Sequence, residues 1–157
     1  MKWLVVVLAI TAALFGTSAA QECAEEVVFE VYDGTIALYH REALFNCCAW
    51  IDVEITQEGY GIEIVERERF EIGPCYCLCC FDVATTIAGL DPGEYTVELW
   101  KAYFVNDDVW TYVLVGTWVL EVEGHSDPSI ESYYIPCVET AADELITSWG
   151  TIKELYR

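Results

Sequence analysis

The residues of this chain with the most chemistry to offer are its eight cysteines: Cys23, Cys47, Cys48, Cys75, Cys77, Cys79, Cys80 and Cys137. Two chemistries compete for them. Thiolates from Cys47, Cys48, Cys75, Cys77 and Cys79, with His40 as an imidazole ligand, could hold zinc or cuprous copper. Oxidised, the even count instead makes a disulfide framework. Zinc knuckles usually space their cysteines about two to four residues apart on turns. Here the gaps are single residues on what reads as a strand, which favours disulfides. On a strand, Cys77 and Cys79 would share a face roughly 6.5–7 Å apart, beyond the usual disulfide span, so each needs a partner elsewhere. Cys47 and Cys48 are the natural partners for the 75–80 segment, and Cys23 could close a long loop with Cys137. The order of the cysteines alone admits about 105 connectivities. Thiol-redox catalysis is not indicated, because no Cys-x-x-Cys opens a helix.

Other chemistry is sparse. His40 and His125 are the two histidines. His125 lies in Gly124-His125-Ser126-Asp127, which holds the residue types of a hydrolytic triad. Real triads are assembled from distant segments, so a polar surface loop is the plainer reading. His40, beside Arg41 and Glu42, reads as a solvated residue at a strand end. Acidic side chains are too numerous to single out a glycosidase pair. Asn106, Asp107 and Asp108 offer calcium-binding oxygens at a hairpin tip but lack the spaced pattern of an EF-hand. There is no Gly-rich phosphate loop and no basic patch. No cofactor is expected beyond the zinc, copper or calcium alternatives, and no enzymatic activity is expected.

The elements that must position these residues are strands. Val27, Phe29 and Val31 alternate into the turn Asp33-Gly34, a tight hairpin signal, and residues 35–39 return. Ala49, Ile51, Val53 and Ile55 alternate with Trp50, Asp52, Glu54 and Thr56. After Gln57-Glu58-Gly59-Tyr60-Gly61 come Ile62, Ile64 and the run Glu66-Arg67-Glu68-Arg69, whose mixed charge predicts a solvent-facing or edge strand. Gly73-Pro74 breaks the pattern. Residues 77–88 form a long strand with Cys77, Cys79, Phe81, Val83 and Ile87 on one face. Residues 95–105 and 110–122 give two more, and 130–135 a possible short last one. Six or seven strands with these turns predict an all-β, antiparallel β-sandwich of immunoglobulin-like type, stapled by disulfides. Beyond it, Ala141, Leu145, Trp149, Ile152 and Tyr156 fall at helical spacing, interrupted by Gly150. A short C-terminal helix or flexible tail is expected over 138–157.

The first twenty residues set the compartment. Lys2, an apolar run over 3–15 and the small residues Gly16-Thr17-Ser18-Ala19-Ala20 have the layout of a cleavable secretory signal. The run is shorter than the ~18–20 residues that cross a bilayer, and no second such run follows, so no membrane span is expected after cleavage. Residues 21–137 are then one domain. Lys2 is the sole charge in the leader, so cleavage moves the formal charge from −20 to −21. So acidic a chain repels phosphate backbones and anionic membranes, which excludes nucleic-acid partners. A secreted, periplasmic or extracellular location is expected. The function expected is a non-enzymatic binding, adhesion or structural domain with an extracellular protein or glycan partner. A metal-binding protein is the alternative.

Two stretches carry a resemblance. Ile87-Ala88-Gly89-Leu90-Asp91-Pro92-Gly93-Glu94-Tyr95-Thr96-Val97 resembles a strand–turn–strand hairpin of fibronectin type III-like and other immunoglobulin-like bacterial domains. Asn46-Cys47-Cys48 with Cys75-x-Cys77-x-Cys79 and then Phe81-Asp82 is similar to a group of secreted bacterial cysteine-rich proteins whose own functions are not established. The tail from Ser148 to Arg157 is similar to short C-terminal tails of some secreted bacterial proteins. The resemblance implies a β-sandwich and names no ligand. The Cys and Trp hallmarks of antibody domains are absent, since Trp50 follows Cys47-Cys48 almost directly.

Overall fold

The structure is a computed structural model that describes residues 23–106 and 109–135. The leader at 1–20, Asp107, Asp108, Cys137 and the tail at 138–157 lie outside the described residues. Among the described residues all regular structure is strand, and no helix is long and apolar enough to cross a membrane.

Eight strands form: β1 (Glu26–Tyr32), β2 (Thr35–Asn46), β3 (Trp50–Glu58), β4 (Gly61–Arg69), β5 (Leu78–Ala88), β6 (Gly93–Asn106), β7 (Val109–Val122) and β8 (Ser129–Ile135). They make two four-stranded sheets, ordered β1-β2-β5-β8 and β3-β4-β6-β7. The eighth, where about seven were expected, is the short last strand read at 130–135: β8 pairs along β5 from Asp82↔Ile135 to Ala88↔Ser129. One pairing is parallel, β4 with β6, where an antiparallel sandwich was expected. The chain leaves β4 for β5 in the other sheet before returning as β6, and such a crossover lets two strands of one sheet run the same way.

Local chemistry explains the turns. Asp33 and Gly34 both have positive φ, 37° and 69°, as a two-residue hairpin turn between right-twisted strands demands. A Cβ on Gly34 would sit 2.8 Å from the Ser126 amide nitrogen and 3.0 Å from the Leu90 carbonyl oxygen, so the position needs glycine twice over. The 87–97 stretch is not a hairpin, because β5 and β6 belong to different sheets. It is a corner between them, closed by the Tyr95 hydroxyl donating to the Asp91 carbonyl at 3.0 Å. The strand expected to end at Tyr39 runs on to Asn46 through a bulge between His40 and Ala43. There Glu42 takes φ 51° and its amide donates to the Asp82 carboxylate at 2.9 Å. The bulge shifts the alternation so that Ile36, Leu38 and His40 before it, and Ala43 and Phe45 after it, all point inward.

The core between the sheets has two apolar halves. One gathers Ile36, Leu38, Ile62, Ile64, Tyr95, Val97 and Leu99. The other gathers Ala43, Phe45, Ala49, Ile51, Cys79, Phe81 and Val83. On β2, β4 and β6 the residues leading away from the first half are His40, Glu66 and Lys101, all buried. A charged layer therefore interrupts the apolar core.

Candidate functional site

The charged run on β4 is the hinge of the site. It was expected on a solvent-facing or edge strand, yet β4 lies inside its sheet between β3 and β6. With strand periodicity of two, Glu66 and Glu68 follow Ile62 and Ile64 into the core, while Arg67 and Arg69 take the outer face. Compensation on each side makes this tolerable: glutamates meet cations and amides inside, and arginines meet rings and carboxylates outside.

Inside, His40 is fully buried in β2 and is no solvated turn residue. Its Nδ1 lies 2.6 Å from Glu66 Oε2 and its Nε2 2.8 Å from Glu25 Oε1. Lys101 from β6 pairs with the same Glu25 oxygen. Burial pushes the His40 imidazole down, but the two carboxylates outweigh it and hold it above its ordinary value. Burial likewise raises the Glu66 carboxyl, against the pull of His40 and Lys101. Burial would lower the Lys101 amine, yet Glu25 and Tyr103 raise it. With its imidazole protonated, the group carries two positive and two negative charges across both sheets. Glu68 does comparable work alone, accepting from the Asn46 amide at 2.7 Å in one sheet and from the Phe104 amide at 3.2 Å in the other.

Outside, the second sheet presents aromatic rings in register. Asp52, Arg67, Ala102 and Tyr112 form one cross-strand row, and Glu54, Val65, Trp100 and Leu114 the next. Phe104 faces Trp110 beside them. Arg67 is stacked 5.2 Å from the Trp110 ring and 5.9 Å from Tyr112, and Arg69 is 5.2 Å from Trp110 on its own account. Carboxylates fix both guanidinium groups: Arg67 donates to Glu54 at 2.9 Å, Arg69 to Asp52 at 3.2 Å. Arg67 Nη2 also donates to the Tyr112 hydroxyl at 3.2 Å. The tiling covers Val65 and Ala102 although both lie on this outer face. At the margin, Trp50 is exposed and borders an open groove of about 520 Å³ between residues 48–50 and 71–75.

The cysteines frame that groove. Cys48 pairs with Cys75 and Cys47 with Cys77, joining the β2–β3 turn to the loop before β5. Asn46 organises both segments: its side-chain oxygen accepts from the Cys48 and Cys75 amides at 3.1 and 3.2 Å, and its amide nitrogen donates to the Cys75 carbonyl at 2.7 Å. Cys77 precedes β5 and does not extend the strand, so it escapes the same-face constraint it would share with Cys79. Cys23 pairs with Cys80, which corrects the expected bond to Cys137. Cys79 is disulfide-bonded as well, and no cysteine among the described residues is free. Of the alternative metal ligands, Cys47, Cys48, Cys75 and Cys77 converge, with Cys75 and Cys77 sulfurs 3.3 Å apart. His40 does not join them, since both its ring nitrogens are committed to carboxylates, and Cys79 faces the core. Among the described residues no His, Cys, Asp and Glu cluster is arranged to hold a metal ion.

The remaining candidates separate. The Ser126 hydroxyl donates to the Gly34 carbonyl at 3.0 Å and accepts from the Gly89 amide at 2.8 Å, while His125 is exposed. Ser126 thus ties two turns together and is not directed at His125. Asn106 ends β6 and is exposed, while Asp107 and Asp108 lie outside the described residues.

Glu25 and Glu66 were missed as partners of His40, as was Lys101, which pairs with Glu25, and the outer aromatic face was missed as a unit. A signal for the first was present: Ile62 and Ile64 set the buried parity that Glu66 and Glu68 continue. Comparison with protein-family models, with curated proteins and with solved structures found no match.

Proposed function

We propose that this chain is a secreted, non-enzymatic binding module of immunoglobulin-like type, and that it recognises an extracellular carbohydrate through the outer face of the β3-β4-β6-β7 sheet. The observation that carries the reading is the in-register platform of Trp50, Trp100, Trp110 and Tyr112 around Arg67 and Arg69. Sugar rings offer flat C–H faces to aromatic rings and hydroxyls to guanidinium and carboxylate groups, and this face supplies both kinds of contact on rigid strands. Secretion is supported by the leader-like first twenty residues and by disulfides that persist in oxidising compartments. The immunoglobulin-like assignment is supported by the two-sheet layering and by the Tyr95–Asp91 corner, the kind of tyrosine corner seen in such sandwiches.

The test is binding of the purified chain to a panel of soluble and insoluble polysaccharides and to a glycan array. Trp50→Ala with Tyr112→Ala is expected to weaken binding about tenfold or more while the chain stays folded with a modestly lower melting temperature. Absence of any glycan binding, or equal binding by the double variant, would sink the reading. A thiolate metal centre, the alternative reading of the sequence, would need the Cys48–Cys75 and Cys47–Cys77 bonds to be open. Stoichiometric zinc or copper with free thiols in the purified protein would replace the first reading with it.

A further inference from the structure

The four sheet edges of this molecule are not alike. β1 carries Glu26 and Glu30, β3 carries Asp52, Glu54 and Glu58, and β8 carries Glu131. Charged side chains of this kind stop an edge from pairing with another chain. β7, the fourth edge, has no charge from residue 109 to 120, the longest uncharged run among the described residues. Its two halves differ. Trp118 in the second half packs 5.0 Å from Phe29 of β1, so that half is drawn against the other sheet. In the first half Tyr112, Val113 and Leu114 are all exposed, Val113 at 43 % on the inward-pointing side. Val115 is the extra residue of a bulge, because Leu99 faces Gly116 and Trp100 faces Leu114. This bulge and the irregularity opposite Val109 and Trp110 bound a regular, apolar edge segment over 110–114.

We propose that the chain forms a two-fold dimer in which this segment of β7 pairs antiparallel with the same segment of a second copy, centred on Tyr112. An isologous contact brings a surface against itself, so the strand must tolerate its own image. Self-pairing of β1, β3 or β8 would bring carboxylates together across the new ladder, and like charges opposite one another are destabilising. In a chain of net charge −20 that repulsion matters, and β7 is the edge that avoids it. Centred on Tyr112, the pairing sets Trp110 beside the partner's Leu114 and Thr111 beside the partner's Val113. These are aromatic–aliphatic and β-branched neighbours that stabilise sheets. The two β3-β4-β6-β7 sheets become one continuous sheet with two aromatic faces side by side. The dimer is independent of what those faces bind.

The experiment is sedimentation equilibrium of the full purified chain over a wide concentration range. The wild type is expected to show the mass of two chains. Val113→Lys puts a charge on the paired edge and is expected to weaken the dimer about tenfold or more. Val119→Lys, in the half of β7 outside the paired segment, should leave it intact. Hydrogen exchange of the wild type supplies a readout that needs no variant: the alternate amides of residues 110–114 that point away from β6 should lose protection on dilution, with the rest of the sheet unchanged. A wild type that stays monomeric throughout overturns the proposal. So does a dimer that Val113→Lys leaves intact, or one that protects residues other than 110–114.

Discussion

A histidine with a carboxylate on each ring nitrogen keeps its second proton only while it stays folded. His40 holds its proton above the ordinary imidazole value, so between that value and the raised one the native state binds a proton that the unfolded chain has released. Stability from His40 is therefore complete below about pH 6.5 and is lost as pH rises through the raised value. Glu66, also raised, slopes the same way at lower pH, and the two titrate as a coupled pair. Urea unfolding across this range should show stability falling above about pH 6.5. His40→Leu should cost about 3–5 kcal/mol, because Glu66 is left buried without its partner. Replacing both residues with Leu should flatten the pH slope and recover much of the loss, since a well-packed apolar pair avoids the desolvation of two ions. An unchanged pH slope in the double Leu variant would place the linkage elsewhere.

At the scale of elements, turns and bulges set which side chains meet. The Asp33-Gly34 turn fits between the 124–127 loop and the β5–β6 corner, with the Gly34 amide donating to the Glu123 carbonyl at 2.6 Å. Gly34 and Gly59 both have positive φ, but an added Cβ would clash at Gly34 and meet nothing within 4 Å at Gly59. Gly59→Ala should thus cost about 1 kcal/mol, the strain of a left-handed alanine. Gly34→Ala should cost clearly more, and the difference in urea midpoints isolates the packing at that turn. The Asp33-Gly34 hairpin was legible because its signal is local. The bulge at Glu42 was not: it is specified by Asp82 on a neighbouring strand and by the core's need to bury both Leu38 and Phe45.

For the whole molecule, the disulfide Cys23–Cys80 is a long-range covalent staple, with a sequence separation of 57. It anchors the segment leading into β1, which also carries Glu25 to His40 and Lys101. Replacing Cys23 and Cys80 with Ala should lower stability by up to about 4 kcal/mol through the freed unfolded chain. Because Glu25 loses its tether, the pH dependence should weaken too, which loss of a staple alone would not cause. Thermal unfolding at two pH values separates the effects. The pairing was not legible because spacing along the chain says nothing of which strands become neighbours. Cys23 lies beside β5 only because β2 pairs with both β1 and β5.

The sequence by itself determined most of the strands and the Asp33-Gly34 turn, since period-two alternation and the φ preference of Asp-Gly act over a few residues. It also determined that eight cysteines would have partners to find. Only the tertiary structure decided which cysteines pair, that β4 lies parallel to β6, and that Glu66-Arg67-Glu68-Arg69 is shared between a buried ion network and an outer aromatic face. Those choices depend on groups far apart in the chain. A charge on a strand reads as exposed until its compensating partner, here His40 or Trp110, is brought across from another strand.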